Sequence, residues 1–110
     1  MRAYLIDEVS IPDMEKISGF LKKNAIPSKL SQLCWVRLPE DILNGVQTRH
    51  IDCRPHVFAV ELGTDWFKLE FFVRSLSNMQ CICIDYCSVR QRDFIINFAH
   101  QMIEDLNIKT

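Results

Sequence analysis

Alternation of apolar and polar residues is clearest between positions 57 and 86, where it predicts three consecutive strands. The first two predicted strands, 57–62 and 66–74, are separated by Gly63-Thr64-Asp65, which is typical of a hairpin turn. A second turn region precedes the third predicted strand, 81–86. Because side chains of a strand point alternately to its two sides, the pattern also predicts which residues share a face.

One face of this predicted sheet is apolar and the other is mixed. The apolar face, predicted to be core, holds Phe58, Val60, Leu62, Phe67, Leu69, Phe71, Val73, Ile82 and Ile84. The mixed face holds Glu61, Trp66, Lys68, Glu70, Phe72, Arg74, Cys81, Cys83 and Asp85. Aromatic residues on such a face indicate a surface for a partner or ligand, which we assign to Trp66, Lys68, Glu70, Phe72 and Arg74. The alternative interpretation is that scattered surface apolar residues need no partner, or that a loop or the first helix covers them.

Helical periodicity predicts two main helices, at 12–24 and 88–106. Ser10 precedes the first helix and is suited to cap it. Ser88 and Gln91 have the spacing of a capping box at the start of the second helix. Apolar residues recur along this second helix on one broad face, which is the natural cover for the apolar side of the sheet.

Two further strands, at 2–6 and 33–38, complete the predicted elements together with a short helix at 39–45. The stretch 44–55 shows no periodicity and is predicted to be irregular. The order β-α-β-(short α)-β-β-β-α predicts an α+β fold, a two-layer sandwich whose mainly antiparallel sheet of about five strands carries both main helices on one face. At 110 residues, 1–110 is expected to form a single domain, with the strand order left open.

The net charge of −1 gives no long-range attraction to nucleic acid or to an anionic membrane, so neither is expected as a partner. No apolar run approaches the roughly 20 residues that span a bilayer, and Asp7 and Glu8 interrupt the first apolar residues where a signal peptide would continue. We therefore expect a cytoplasmic protein whose five cysteines are reduced thiols. The three glycines form no phosphate-binding loop, which argues against P-loop and Rossmann-type nucleotide enzymes.

Histidine and cysteine residues occur in two groups that suggest a metal site for zinc or iron. His50, Cys53 and His56 form H-x2-C-x2-H, and Cys81, Cys83 and Cys87 form C-x-C-x3-C. Thiolate and imidazole are the ligands that zinc prefers, and the predicted hairpins place both groups at the same edge of the sheet. Two features oppose this hypothesis. The spacings match none of the usual zinc patterns, and two cysteines two residues apart on a flat strand lie about 7 Å apart. The alternative is that these cysteines are small buried apolar residues.

A second hypothesis is a reactive thiol at Cys53. This residue lies between Arg49 and Arg54, with His50 and His56 close in sequence. Positive neighbours lower the pKa of a thiol, and a nearby histidine can act as its base. The alternative is a solvated polar loop that happens to contain a cysteine.

These patterns favour a small non-enzymatic interaction or regulatory domain over an enzyme. Self-association through the mixed sheet face, as a homo-oligomer or with another protein, is the first functional hypothesis. The alternative is a metal-binding or reactive-thiol protein that uses the loop 50–56 together with Cys81 and Cys83. No acid–base pair or nucleophile signature in the chain indicates a particular reaction.

Overall fold

The computed structural model describes residues 2–110, which contain seven strands and three α-helices. The strands are β1 (Ala3–Ile6), β2 (Ile26–Pro27), β3 (Leu33–Arg37), β4 (His56–Leu62), β5 (Phe67–Glu70), β6 (Phe72–Ser75) and β7 (Asp85–Tyr86). The helices are α1 (Ile11–Asn24), α2 (Gly45–Arg49) and α3 (Val89–Asp105), and single 3-10 turns lie at Glu40–Ile42 and Ile51–Cys53. The α+β class and the antiparallel sheet are confirmed, whereas the expected number of about five strands was too low.

Strand β4 lies at the centre of the sheet. The strands follow the order β1-β5-β4-β3-β2, while β6 pairs with a second stretch of β4 and with β7. Every pairing is antiparallel. The first five residues of β4 are buried on both faces, which explains its nearly continuous apolar sequence. The candidate site lies beside the beginning of β4, at His56.

The predicted strand 66–74 is divided into β5 and β6 at Phe71. Val60 of β4 pairs with Leu69 of β5, and Val57 of β4 pairs with Arg74 of β6. The two β4 residues are three positions apart in sequence, whereas their partners are five positions apart. The break therefore inserts two extra residues. An even insertion preserves the alternation of side chains, so β6 still turns its buried residues to the same side as β5.

The predicted strand 81–86 is largely wrong. Only β7 forms at its end, and the preceding residues form a turn in which the N–H of Ile84 donates to the carbonyl oxygen of Cys81 at 3.2 Å. This bond replaces the alternation that a strand would impose. Ile82, predicted to be core, is consequently 82% exposed, and Cys83, assigned to the outer face, is only 1% exposed.

The two predicted main helices are confirmed, since α1 and α3 agree with them to within one residue at each end. Ser10 and Ser88 cap them as expected. Both helices pack on a common set of strand side chains. Phe58 of β4 contacts Phe98 of α3 edge to face, and Phe98 in turn contacts Phe20 of α1. The shared buried core comprises Val9, Met14, Ile17, Leu21, Val36, Leu38, Phe58, Val60, Phe67, Leu69, Val73, Ile95, Ala99, Met102 and Ile108.

The stretch between β3 and β4 is more ordered than the sequence analysis expected. The short helix predicted at 39–45 is a single 3-10 turn at Glu40–Ile42, and the stretch 44–55, predicted to be irregular, contains α2 and the second 3-10 turn. Asn44 caps α2 through a capping box with Gln47. The peptide bond between Arg54 and Pro55 is cis and leads into β4. Within residues 2–110, no helix combines the length and apolar character needed to cross a bilayer.

Candidate metal centre

Four side chains from two separate loops meet beside the start of β4. One ligand atom from each of His50, Cys53, Cys81 and Cys83 lies within 4.8 Å of the other three. The Sγ atom of Cys81 is 3.0 Å from Nδ1 of His50 and 3.3 Å from Sγ of Cys53. Ligand atoms around a tetrahedral zinc ion lie about 3.5 to 3.8 Å apart, given its usual bond lengths. The group therefore has both the donor atoms and the spacing to hold a metal ion.

The pair His50 and Cys53 is arranged by the second 3-10 turn. The N–H of His50 donates to Gln47 in the last turn of α2, and the N–H of Cys53 donates back to the carbonyl oxygen of His50 at 3.0 Å. In a 3-10 turn the side chains of residues i and i+3 are eclipsed. The H-x2-C spacing therefore places imidazole and thiol on the same side of the turn. Ile51, between them, is exposed.

The pair Cys81 and Cys83 is arranged by the turn that replaces the predicted strand. The N–H of Cys81 donates to the carbonyl oxygen of Asn78 at 3.1 Å, and the N–H of Cys83 points at the Sγ atom of Cys81 at 3.4 Å. The expected separation of about 7 Å applied to a flat strand. In the turn, the two thiols converge, and this objection to a metal site no longer applies.

Ser75, fully buried at the end of β6, connects the two loops. Its hydroxyl group donates to the carbonyl oxygen of Cys53 at 2.5 Å and accepts from the N–H of Asn78 at 3.0 Å. One side chain thus fixes the backbone of a residue in the first loop and the backbone that begins the second turn. Sequence analysis did not identify Ser75, because a serine at the end of a strand, next to a turn that contains another serine, has the composition of an ordinary turn.

Two buried glutamines connect the second turn to α2 and α3. The Nε2 group of Gln47 donates to the carbonyl oxygen of Cys83 at 3.0 Å. The Nε2 group of Gln91 donates to Oε1 of Gln47 at 2.8 Å and to the carbonyl oxygen of Ile42 at 3.1 Å. Each glutamine also closes a capping box, with Asn44 in α2 and Ser88 in α3. The spacing Asn44-x-x-Gln47 was a signal for this arrangement that the sequence analysis did not use.

His56, a candidate ligand, lies behind Cys83 and outside the group of four. It is 2% exposed, and its Nε2 atom is 3.4 Å from Sγ of Cys83. Its Nδ1 atom has no hydrogen-bond partner within residues 2–110. Burial is the largest effect that lowers the pKa of His56, followed by the charge of Arg54, and this favours the neutral ring. A proton on Nε2 has the sulfur of Cys83 as its acceptor, so His56 is placed to support a thiolate there.

The three cysteines of the group differ in how readily they ionise. The backbone N–H and then the side chain of Cys83 lower the pKa of Cys81 to about 6. The hydrogen bond with Cys81 is the largest of the effects that raise the pKa of Cys53, and burial raises that of Cys83 to about 12. The features that activate a thiol therefore meet at Cys81, whereas the reactive-thiol hypothesis placed them at Cys53.

The other two cysteines stand apart from the group. Burial raises the pKa of Cys34 to about 11 and that of Cys87 to about 12. The backbone N–H of Cys87 donates to the carbonyl oxygen of Phe71, and Cys34 lies on β3. Both are half-buried thiols within the fold. They are matched controls for the cysteines of the candidate site.

The mixed sheet face is covered largely by its own charged side chains. Trp66 packs flat on Gly63, where a Cβ atom would collide with the indole ring. The amino group of Lys68 lies 5.7 Å from the centre of that ring and 3.3 Å from a carboxylate oxygen of Glu61. The same arrangement recurs further along the face, where Arg74 lies over Phe72 at 4.8 Å and pairs with Glu70 at 2.9 Å. These contacts account for the half-buried aromatic residues of this face without a second chain.

Self-association through this face stays a prediction. If the face is an interface, Phe72→Glu places a charge in it and Trp66→Ala removes its largest apolar surface. Each change is then expected to shift a dimer to monomer in sedimentation velocity, while Leu30→Ala, an exposed change elsewhere, leaves the dimer intact. A monomer at high concentration, indifferent to both changes, would contradict the prediction.

Comparisons of the chain with protein-family models, with curated proteins and with solved structures found no match. Any function assigned to this protein therefore rests on the geometry of its own residues.

Proposed function

We propose that this chain is a zinc-binding domain in which His50, Cys53, Cys81 and Cys83 are the ligands. The observation that carries the proposal is the mutual approach of their four ligand atoms to within 4.8 Å. Two loops 28 residues apart, each with its own hydrogen-bonded turn, converge on one point. Side-chain hydrogen bonds from Ser75 and Gln47 to backbone carbonyl oxygens hold both loops in this arrangement.

The donor set favours zinc over iron. Three thiolates and one imidazole are a common structural set for zinc, which takes sulfur and nitrogen ligands in a tetrahedron. Iron–sulfur clusters are usually held by four cysteines. In this group the fourth ligand is His50, whose Nδ1 atom faces the sulfurs.

The role of the ion that this set supports best is structural. Four protein ligands complete the tetrahedron, whereas catalytic zinc sites keep one position open for water or substrate. The ion would cross-link the segment before β4 to the turn before β7, next to the N-terminus of α3. The main core, built from α1, α3 and the sheet, lies outside this cross-link. We therefore expect metal removal to loosen the two loops while the core remains folded.

Zinc stoichiometry tests the proposal. Protein purified under metal-free, reducing conditions and then supplied with zinc is expected to retain about one ion per chain after gel filtration, since one tetrahedral set of ligands is present. The measurement is elemental analysis together with a competition titration against a chromophoric chelator. Replacing both Cys53 and Cys81 by serine is expected to abolish retention.

The double variant Cys34→Ser/Cys87→Ser is the matched control, because it removes the same number of half-buried or buried thiols outside the group. It is expected to retain one zinc ion per chain. A folded wild-type chain that takes up no zinc would refute the proposal, as would equal loss of zinc in the control.

A further inference from the structure

The candidate metal centre borders a depression in the surface. This shallow depression is lined by Arg49, His50, Ile51, Asp52, Cys53, Asn78 and Cys81. Cys83 is almost completely buried and does not line this depression. Cys53 is also buried, at 7% exposed, whereas Cys81 is half-buried. A small reagent that enters the depression therefore reaches Cys81 first.

The two sulfur atoms that face the depression are also close enough to react with one another. The Sγ atoms of Cys53 and Cys81 are 3.3 Å apart, in contact, and no other side chain has to move from between them. Cys83, by contrast, has its sulfur against the imidazole of His56 and its carbonyl oxygen fixed by Gln47. The geometry thus distinguishes a pair in contact, of which Cys81 is accessible, from Cys83, which is buried and held by other partners.

We propose that a hydroperoxide oxidises Cys81 and Cys53 to a disulfide, which releases the bound metal and leaves Cys83 as a thiol. The release of metal rests on the proposed zinc-binding function. The formation of the disulfide rests only on the contact between the two sulfurs and on the access to Cys81 from the depression. Each cysteine reacts as the thiolate, whether or not it is bound to zinc.

The reaction proceeds in two balanced steps. The Cys81 thiolate attacks one oxygen of the peroxide, so that an S–O bond forms, the O–O bond breaks, and the other oxygen leaves and takes a proton to become water or an alcohol. The Cys53 thiolate then attacks the sulfur of the resulting sulfenic acid. An S–S bond forms, the S–O bond breaks, and hydroxide leaves and is protonated to water. The two sulfurs supply the two electrons that reduce the peroxide.

Loss of metal follows from the ligand count. A disulfide sulfur is a poor ligand for zinc, because the metal binds thiolates. Of the four ligands only His50 and Cys83 remain, which is too few for a stable structural site. Reduction of the disulfide by a dithiol restores both thiolates, so the release is reversible when zinc is present.

The test treats zinc-loaded protein with hydrogen peroxide and follows metal release with a chromophoric chelator. Thiols that remain are then alkylated in denaturant, and tryptic peptides are sequenced by mass spectrometry. Cys53 falls in the peptide 50–68 and Cys81, Cys83 and Cys87 fall in the peptide 75–90, so fragmentation identifies the linked residue. We expect a Cys53–Cys81 link, alkylated Cys83, and about one zinc ion released per disulfide.

Variants and controls separate this inference from the proposed function. Cys34→Ser/Cys87→Ser is expected to release zinc as the wild type does, and dithiothreitol with zinc is expected to reload the oxidised protein. Zinc release without the Cys53–Cys81 link, a link to Cys83, or zinc retained in excess peroxide would overturn the inference and leave the zinc site standing. A Cys53–Cys81 disulfide in a chain that never binds zinc would instead overturn the proposed function and support the disulfide chemistry.

Discussion

Serine in place of Cys83 is expected to weaken zinc binding by at least about 100-fold and, with zinc present, to lower the melting temperature by about 10 °C. Loss of a ligand should cost more than the 10- to 100-fold that loss of an outer partner typically costs. Cys83 is the most deeply buried of the four ligands. The substitution keeps its backbone bonds to Cys81 and Gln47, so the change acts on the sulfur alone.

The size of the effect follows from linkage between zinc binding and folding. At a zinc concentration about 1,000 times the dissociation constant of the wild type, binding stabilises the folded state by about 4 kcal/mol. A variant with a 100-fold weaker site gains only about 1.4 kcal/mol at that concentration, a difference of nearly 3 kcal/mol. For a domain of this size, about 4 °C of melting temperature corresponds to each kcal/mol.

Thermal unfolding with zinc and with an excess of chelator distinguishes this account from a simple packing effect. With chelator present, the wild type and Cys83→Ser are expected to melt at nearly the same temperature. Cys87→Ser removes a cysteine four residues further along the chain and is expected to keep its full response to zinc. A Cys83→Ser variant that is destabilised equally with and without zinc would show that Cys83 serves packing and not metal binding.

Methionine in place of Gln47 is expected to destabilise the protein by about 2 to 4 kcal/mol. The change nearly conserves volume but removes bonds to Cys83 and Gln91 and the closure of the α2 capping box. These partners are buried or partly buried, and an unsatisfied buried polar group costs about 1 to 3 kcal/mol. The measurement is urea-induced unfolding at fixed zinc concentration.

A double-mutant cycle with Gln91→Met isolates the bond between the two glutamines. Because the residues are in direct contact, we expect a coupling free energy of about 0.5 to 3 kcal/mol. Gln101→Met, on the exposed surface of α3, is the control and is expected to change stability by less than about 0.5 kcal/mol. Strict additivity of Gln47→Met and Gln91→Met would contradict the network.

The main helices and the central strands could be predicted from the sequence, because these elements depend on periodicity. The alternation in 57–62, the N-cap serines of α1 and α3 and the apolar stripes of both helices are local signals, and the structure has the corresponding elements. The break at Phe71 left no local signal, because an insertion of two residues keeps the alternation unchanged. Strand β2 escaped prediction since it is two residues long and includes a proline.

The conformation of the candidate site could not be predicted from periodicity. Ile82 and Ile84 alternate with cysteines, so the segment has the pattern of a strand. Its actual conformation and its place beside the first loop are set by tertiary bonds, notably from Gln47 to Cys83 and from Ser75 to Cys53, which no local pattern contains. The residue types of the site could be read from the sequence. Their convergence, and the position of His56 outside the group of four, depend on these distant partners.

X-ray absorption at the zinc K edge tests the central claim most directly, because it measures the ligands of the ion. For zinc-loaded wild-type protein, we predict three sulfur atoms at about 2.3 Å and one nitrogen atom at about 2.0 to 2.1 Å. The variant Cys83→Ser should show one sulfur fewer, whereas Cys87→Ser should give the wild-type spectrum. A first shell of oxygen and nitrogen alone, or a sulfur count unchanged by Cys83→Ser, would contradict the assignment of this site.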